Sequence, residues 1–267
     1  MCELFGLNSD KEISISFSFT KFQKRVTNNP DGWGIGFYMG DKQPFVTIIK
    51  EPITERESIF GDFLKNKVKS NIFISHLRLA SGSSNIPLNT HPFELMVDPR
   101  PNAIHEKSWI FAHNGVIKGI KDKFKFSIMP HGDTDSEYAF CYIIGKLREQ
   151  YVKNDYKLGI TEKIKIIKEA ALEISSSFPN SLNFLLSDGY RLYAYYGGYK
   201  ESGGLWHLAR KSADKKEVLE NDFKVILPEN SRDVVSFVAT KPLTKDAWIS
   251  FENNELIVFE NGEIKKY

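Results

Sequence analysis

The feature that most restricts the fold is a rhythm of short, β-rich apolar blocks set between turn residues, interrupted once by two long amphipathic stretches. The early blocks cover residues 34–39, 44–49, 71–76, 108–113, 183–187 and 191–196. Asp188-Gly189 joins the last two as a tight hairpin. Later blocks cover 205–209, 234–240, 248–251 and 255–260, the last closed by an Asn261-Gly262 turn. Helical spacing is confined to a few places. Residues 136–151 follow a Thr-Asp-Ser start, and residues 161–178 begin at Thr161, a candidate N-cap, with Ile164, Ile167, Ala171 and Ile174 on one face. Shorter helices are predicted at 17–26 and 55–65, a loop insertion at 98–107 and a solvated charged link at 211–220. Strands joined by hairpins around central helices define an α+β chain with antiparallel sheets, read as one domain over 1–267.

Bulk properties narrow the partners. A net charge of +2, from 36 basic and 34 acidic residues, supplies no global field for nucleic acid or a membrane surface, so neither is expected as a partner. Two cysteines build no disulfide framework and suit a reducing compartment. The start lacks a charged segment followed by an apolar one, and the expected location is the cytoplasm. Gly32-Trp33-Gly34-Ile35-Gly36 has neither dinucleotide-loop nor P-loop spacing. His76, His91, His105, His113 and His131 lack metal-ligand spacing and read as buried or turn histidines that hold loops by hydrogen bonds. No metal or organic cofactor is expected.

The residues that could carry chemistry are few. Cys2 follows the initiator methionine, whose removal would leave a thiol and an α-amine on one residue, in a mature chain of 2–267. A free α-amine titrates near 7.7–8.0 and can serve as a base, and a thiol near 8.5 needs only a modest push to become a nucleophile. In Phe111-Ala112-His113-Asn114-Gly115, Asn114 offers a side-chain amide and Gly115 a backbone N–H to a developing oxyanion, although Asn-Gly is equally a turn signal. Arg78, ahead of Ser81 and Gly82, could grip a carboxylate or form a surface ion pair. Asp133 and Asp135 could meet an ammonium group or cap the following helix. Cys141, on the apolar face of that helix, reads as packed core.

In this order, Cys2, "HLRLAS" (76–81), "NTHPF" (89–93), "FAHNG" (111–115) and "GDTDSE" (132–137) resemble the class II glutamine amidotransferase domain, a group of N-terminal nucleophile hydrolases. "MCELFG" and "NPDGWGIGFY" (29–38) are most similar to its stand-alone YafJ-like members, related to the γ-glutamyl amidase of ergothioneine synthesis. "TKPLT" (240–244) and the Trp248 region are similar to that group's C-terminal strands. The resemblance implies a four-layer αββα sandwich and cleavage of the γ-amide of glutamine or of a small γ-glutamyl compound through a thioester on Cys2. Asn114 and Gly115 would form the oxyanion hole. Arg78, with Ser81 beside it, would bind the substrate α-carboxylate, and Asp135 its α-ammonium. Leu79 stands where synthase-linked members carry tryptophan, and Ser81-Gly82 shortens the stretch that follows, so the pocket walls differ. Two other readings remain open on sequence: a glutaminase subunit that passes ammonia to a separate synthase partner, and a glutamine-binding sensor without turnover.

Overall fold

The computed structural model describes residues 2–17, 31–40, 45–53, 68–79, 82–98, 108–200, 203–211, 217–220, 223–226 and 234–267. The first half supplies β1 (Glu3–Phe17), β2 (Trp33–Met39), β3 (Phe45–Glu51), β4 (Lys69–Leu77), β5 (Phe93–Leu95) and β6 (Trp109–Asn114). A single helical turn, α1 (Ile120–Lys123), precedes the long helices α2 (Asp135–Lys153) and α3 (Ile160–Ser177). After them come β7 (Asn183–Ser187), β8 (Arg191–Tyr196), β9 (Trp206–Lys211), β10 (Glu217–Glu220) and β11 (Phe223–Ile226). The chain finishes with β12 (Val234–Ala239), β13 (Ile249–Ser250), β14 (Glu255–Glu260) and β15 (Glu263–Lys265).

These strands form two antiparallel sheets. The first runs β13-β9-β12-β1-β4-β2-β3, with β11 paired to the far end of β1 and β10 to β11. The second runs β15-β14-β8-β7-β6-β5. Period-two alternation sorts the side chains: on β1, Leu4 points between the sheets while Phe5 and Leu7 face the other way. Ile72, Ile74, Ile110, Leu185 and Phe259 complete the layer between the sheets. Helices α2 and α3 cover the outer face of the second sheet, where Phe140 of α2 stacks on Phe111 with ring centroids 4.9 Å apart. The outer face of the first sheet is buried too, around Ile35, Phe37, Phe73 and Phe237. Burial on both faces is why these strands read as continuous apolar runs. The fold is α+β, and the expectation of two mainly antiparallel sheets holds, with the long described helices on the outer face of the second.

Several local expectations change. The helix at 161–178 is capped by Gly159, whose N–H donates to Glu162 Oε2, and Thr161 already lies inside it. The charged link at 211–220 contains the end of β9 and the whole of β10, a strand that pairs, among the described residues, with β11 alone. Charged residues suit such an edge strand and conceal it from a hydrophobic pattern. Phe17 ends a strand, and the remainder of the predicted helices at 17–26 and 55–65 lies outside the described residues, as do residues 99–107 of the predicted loop insertion. Strand β1 shifts register against β4 between Asn8 and Ile13, where the polar run Asn8-Ser9-Asp10-Lys11-Glu12 breaks the alternation. Gly34 has a packing role in place of a nucleotide one: a Cβ there would lie 2.0 Å from the carbonyl oxygen of His91. Cys141 is fully buried, as expected of a core residue, and burial pushes its thiol up to about 12. No described helix is long and apolar enough to cross a membrane.

Candidate active site

Antiparallel pairing of Glu3 with Leu77 carries Cys2 to the end of β4. There the Leu79 N–H donates to Cys2 Sγ at 3.1 Å, and the thiol faces the Leu79 carbonyl at 3.3 Å. Burial raises the thiol pKa above its ordinary value, with the Leu79 N–H and the Arg78 charge pulling the other way. The resting sulfur therefore keeps its proton.

Asn114 ends β6 in the opposite sheet, and its Nδ2 donates to the Cys2 carbonyl at 2.9 Å. This bond crosses between the sheets, because β6 lies in the second and Cys2 leads into the first. Gly115 follows in a tight passage: a Cβ at this position would sit 1.9 Å from the Ser181 carbonyl oxygen. Only a residue without a side chain fits there.

Three residues beyond Asn114, the Ile117 N–H donates to Asp135 Oδ2 at 2.6 Å. Asp135 Oδ1 accepts from the Ser136 N–H at 2.8 Å. Asp135 is the first residue of α2, whose N-cap is Thr134; the Thr134 hydroxyl accepts from the Glu137 N–H. Glu137 in turn accepts from the N–H groups of His131 and Gly132, which ties down the approach to the helix. The Asp135 carboxylate lines a cleft of about 260 Å³ together with Gly82, Ser83, Val116, Lys118 and Tyr138. Segment 114–117 thus touches Cys2 at one end and Asp135 at the other.

Arg78 is buried, with 4% of its surface exposed. Its guanidinium donates to Asp31 O at 3.1 Å, Asn85 Oδ1 at 2.5 Å, Ser83 Oγ at 2.7 Å and the carbonyls of Ser83 and Ser84. Burial lowers its pKa, opposed by Asp31, Cys2 and Asp133. Sequence reading missed this loop, because serines and an asparagine in "SGSSN" signal only a turn. Ser81 lies outside the described residues.

The histidines divide into two kinds. His113 is buried and hydrogen-bonded at both ring nitrogens, to Ser136 Oγ and to the Ser181 carbonyl. His76 and His91 pack ring to ring, with centroids 4.2 Å apart, and among the described residues neither ring has a hydrogen-bond partner. The expectation that these two hold loops by hydrogen bonds is therefore corrected: packing holds them. Burial drives His76 down to about 3 and His91 well below its ordinary value, so both rings are neutral. His105 lies outside the described residues, and the His131 ring sits at the surface beside Glu137. Among the described residues no three His, Cys, Asp or Glu side chains converge as a metal site would require.

Two face-to-face antiparallel sheets, a cysteine leading into the central strand and an Asn-Gly pair hydrogen-bonded to it make up the candidate site. The family model for class-II glutamine amidotransferases matches residues 1–267, and the chain belongs to that family of enzymes. It is 37% identical over 273 residues to the uncharacterized protein MJ1515 of Methanocaldococcus jannaschii, covering 99% of this chain and 70% of the relative. It is 30% identical over 270 residues to the Escherichia coli K12 protein named "Putative glutamine amidotransferase YafJ", covering 98% of this chain and 99% of that one. A 2.0 Å crystal structure from Pseudomonas aeruginosa PA01, described as a predicted glutamine amidotransferase, superimposes with a TM-score of 0.72 at 26% identity, over all of both chains. The fold is shared with glutamine phosphoribosylpyrophosphate amidotransferase of B. subtilis: TM-score 0.59, 16% identity, 99% of this chain and 48% of that one.

Proposed function

We propose that the protein is an amidohydrolase that cleaves the γ-amide of glutamine or of a γ-glutamyl compound through a thioester on Cys2. Once Met1 is removed, the Cys2 α-amine takes the Sγ proton as sulfur attacks the γ-carbonyl. A thiol held protonated by burial needs such a base. The carbon–sulfur bond forms, and the carbonyl electrons move to oxygen, where Asn114 Nδ2 and the Gly115 N–H stabilise the charge. As the carbon–nitrogen bond breaks, the protonated α-amine returns its proton to the leaving amine. Water then attacks the thioester, releasing glutamate and restoring the thiol. Asp135 receives the substrate α-ammonium in the cleft. Arg78 receives the α-carboxylate by giving up Ser83 Oγ and Asn85 Oδ1. Neither a metal nor an organic cofactor takes part.

The observation that carries this reading is the hydrogen bond from Asn114 to Cys2 across the two sheets. It sets an amide donor beside the sulfur-bearing residue. A screen of γ-glutamyl amides for glutamate release, with Cys2→Ala as the blank, tests it. Release by the wild type and none by the variant is the expected result; equal rates would sink the mechanism. Intact-mass measurement should show a chain that begins at Cys2, and a retained methionine would remove the proposed base.

A further inference from the structure

His113 precedes Asn114 on β6 and faces the helix layer, 2% exposed. Its Nε2 lies 3.0 Å from the Ser181 carbonyl and its Nδ1 lies 2.8 Å from Ser136 Oγ. A carbonyl only accepts, so Nε2 carries the hydrogen. Nδ1 then presents a lone pair, and the Ser136 hydroxyl must donate to it. That commitment spends the single Ser136 hydroxyl hydrogen, so the Ser136 backbone N–H at 2.8 Å holds Asp135 Oδ1, from which the hydroxyl oxygen stands 3.4 Å away. Burial keeps the imidazole neutral against the pull of Asp135. On the other side, the Ser181 carbonyl held by Nε2 is the atom against which Gly115 packs. One ring therefore abuts both halves of the site, whereas the ring nitrogens of the equally buried His76 and His91 find no hydrogen-bond partner among the described residues.

Resting on the hydrolase reading above, we propose that His113 is a positioning residue with two separable arms. The Nε2 arm, acting through Ser181, fixes the Gly115 peptide that receives the oxyanion. The Nδ1 arm, acting through Ser136, fixes the Asp135 carboxylate that receives the substrate ammonium. A histidine is suited to this because its donor and acceptor lie on opposite edges of one rigid ring, with no rotamer freedom between them.

Two near-isosteres separate the arms. In His113→Gln the side-chain amide nitrogen comes near the place of Nε2 and keeps the Ser181 arm. In His113→Asn the amide oxygen comes near Nδ1 and keeps the Ser136 arm. Each variant is assayed with glutamine and with 4-carbamoylbutanoate, which is glutamine without its ammonium. His113→Gln should raise KM for glutamine about tenfold, leave KM for 4-carbamoylbutanoate unchanged and hold kcat within about threefold. His113→Asn should lower kcat for both substrates by about 10- to 100-fold with KM near wild type. Ser136→Ala, a milder change, should reproduce the glutamine-specific KM increase. Matching losses in both variants, or an unchanged glutamine KM in Ser136→Ala, would overturn the two-arm assignment. Wild-type glutamate release decides the hydrolase reading separately. The arms are also read without turnover. Glutamine binding to His113→Gln and Ser136→Ala in a Cys2→Ala background should weaken about tenfold, and equal binding would overturn the proposal. The nitrogen NMR spectrum of His113 should show the Nε2–H tautomer, and an Nδ1–H tautomer would overturn it as well.

Discussion

The first sheet brings Cys2 and Arg78 to the site on neighbouring strands, and the second brings Asn114, Gly115 and, through its covering helix, Asp135. The two contributions differ in how they are held. Leu79 backbone atoms grip Cys2, and five contacts from Asp31 and the 83–85 loop occupy the Arg78 guanidinium. Asp135 instead faces an open cleft, with both oxygens oriented by backbone N–H groups. In the proposed reaction the first sheet supplies the attacking sulfur and the carboxylate contact, and the second supplies the oxyanion donors and the ammonium contact. The burial that keeps sulfur protonated on the first side is the counterpart of the amide donors arrayed on the second.

If that division holds, removing the attacking sulfur should abolish reaction while sparing the fold. Cys2→Ala should release no measurable glutamate, and its unfolding free energy should stay within about 0.5 kcal/mol of wild type by urea titration. Asn114→Ala attacks the contrast from the second sheet: kcat should fall about 10²- to 10³-fold as one oxyanion donor is lost. It should also be less stable by about 1–3 kcal/mol, since the Cys2 carbonyl loses its partner. Steady-state kinetics and urea unfolding of one preparation measure both. Asp135→Asn should be gentler, because its amide cannot accept from both the Ile117 and Ser136 N–H groups and carries no charge. KM for glutamine should rise about tenfold or more, with little change for 4-carbamoylbutanoate.

The last test concerns stability rather than turnover. His76 titrates near 3 in the folded chain against an ordinary 6.5, so the unfolded chain takes up the proton first as pH falls. The neutral ring's full contribution is present above pH 6.5 and is lost between 6.5 and about 3, by about 1.4 kcal/mol per pH unit. His91 shifts in the same direction. Urea unfolding at pH 7, 6 and 5 should show this slope, and His76→Leu should flatten it by one proton. An unchanged slope would mean that His76 and His91 do not resist protonation as their burial implies.

Legibility followed how local each signal was. Strands β7, β8 and β14 keep the bounds that their alternation predicts, because each is a compact block closed by a turn. Central strand β1 escaped notice: its 15 residues are bent around a polar run, and its partners β4, β11 and β12 lie far along the chain. In the site, the identities of Cys2, Asn114, Gly115, Arg78 and Asp135 were visible as motifs. The Ile117 N–H that orients Asp135 was not, since every residue has such a group and only position gives it a role. Nor was the hold of Ser83, Ser84 and Asn85 on Arg78.

What the sequence by itself determined is the inventory: strand periodicity, a sulfur beside the chain's start, an Asn-Gly pair behind a strand and an acidic helix entry. Those are properties of residue type and spacing, and they persist in an unfolded chain. Tertiary structure alone decided that Asn114 meets Cys2 across 112 positions, that His113 is bonded at both nitrogens and that, among the described residues, the rings of His76 and His91 are bonded at neither. The physical reason is that hydrogen bonding and desolvation act over a few ångströms of space, whatever the separation along the chain.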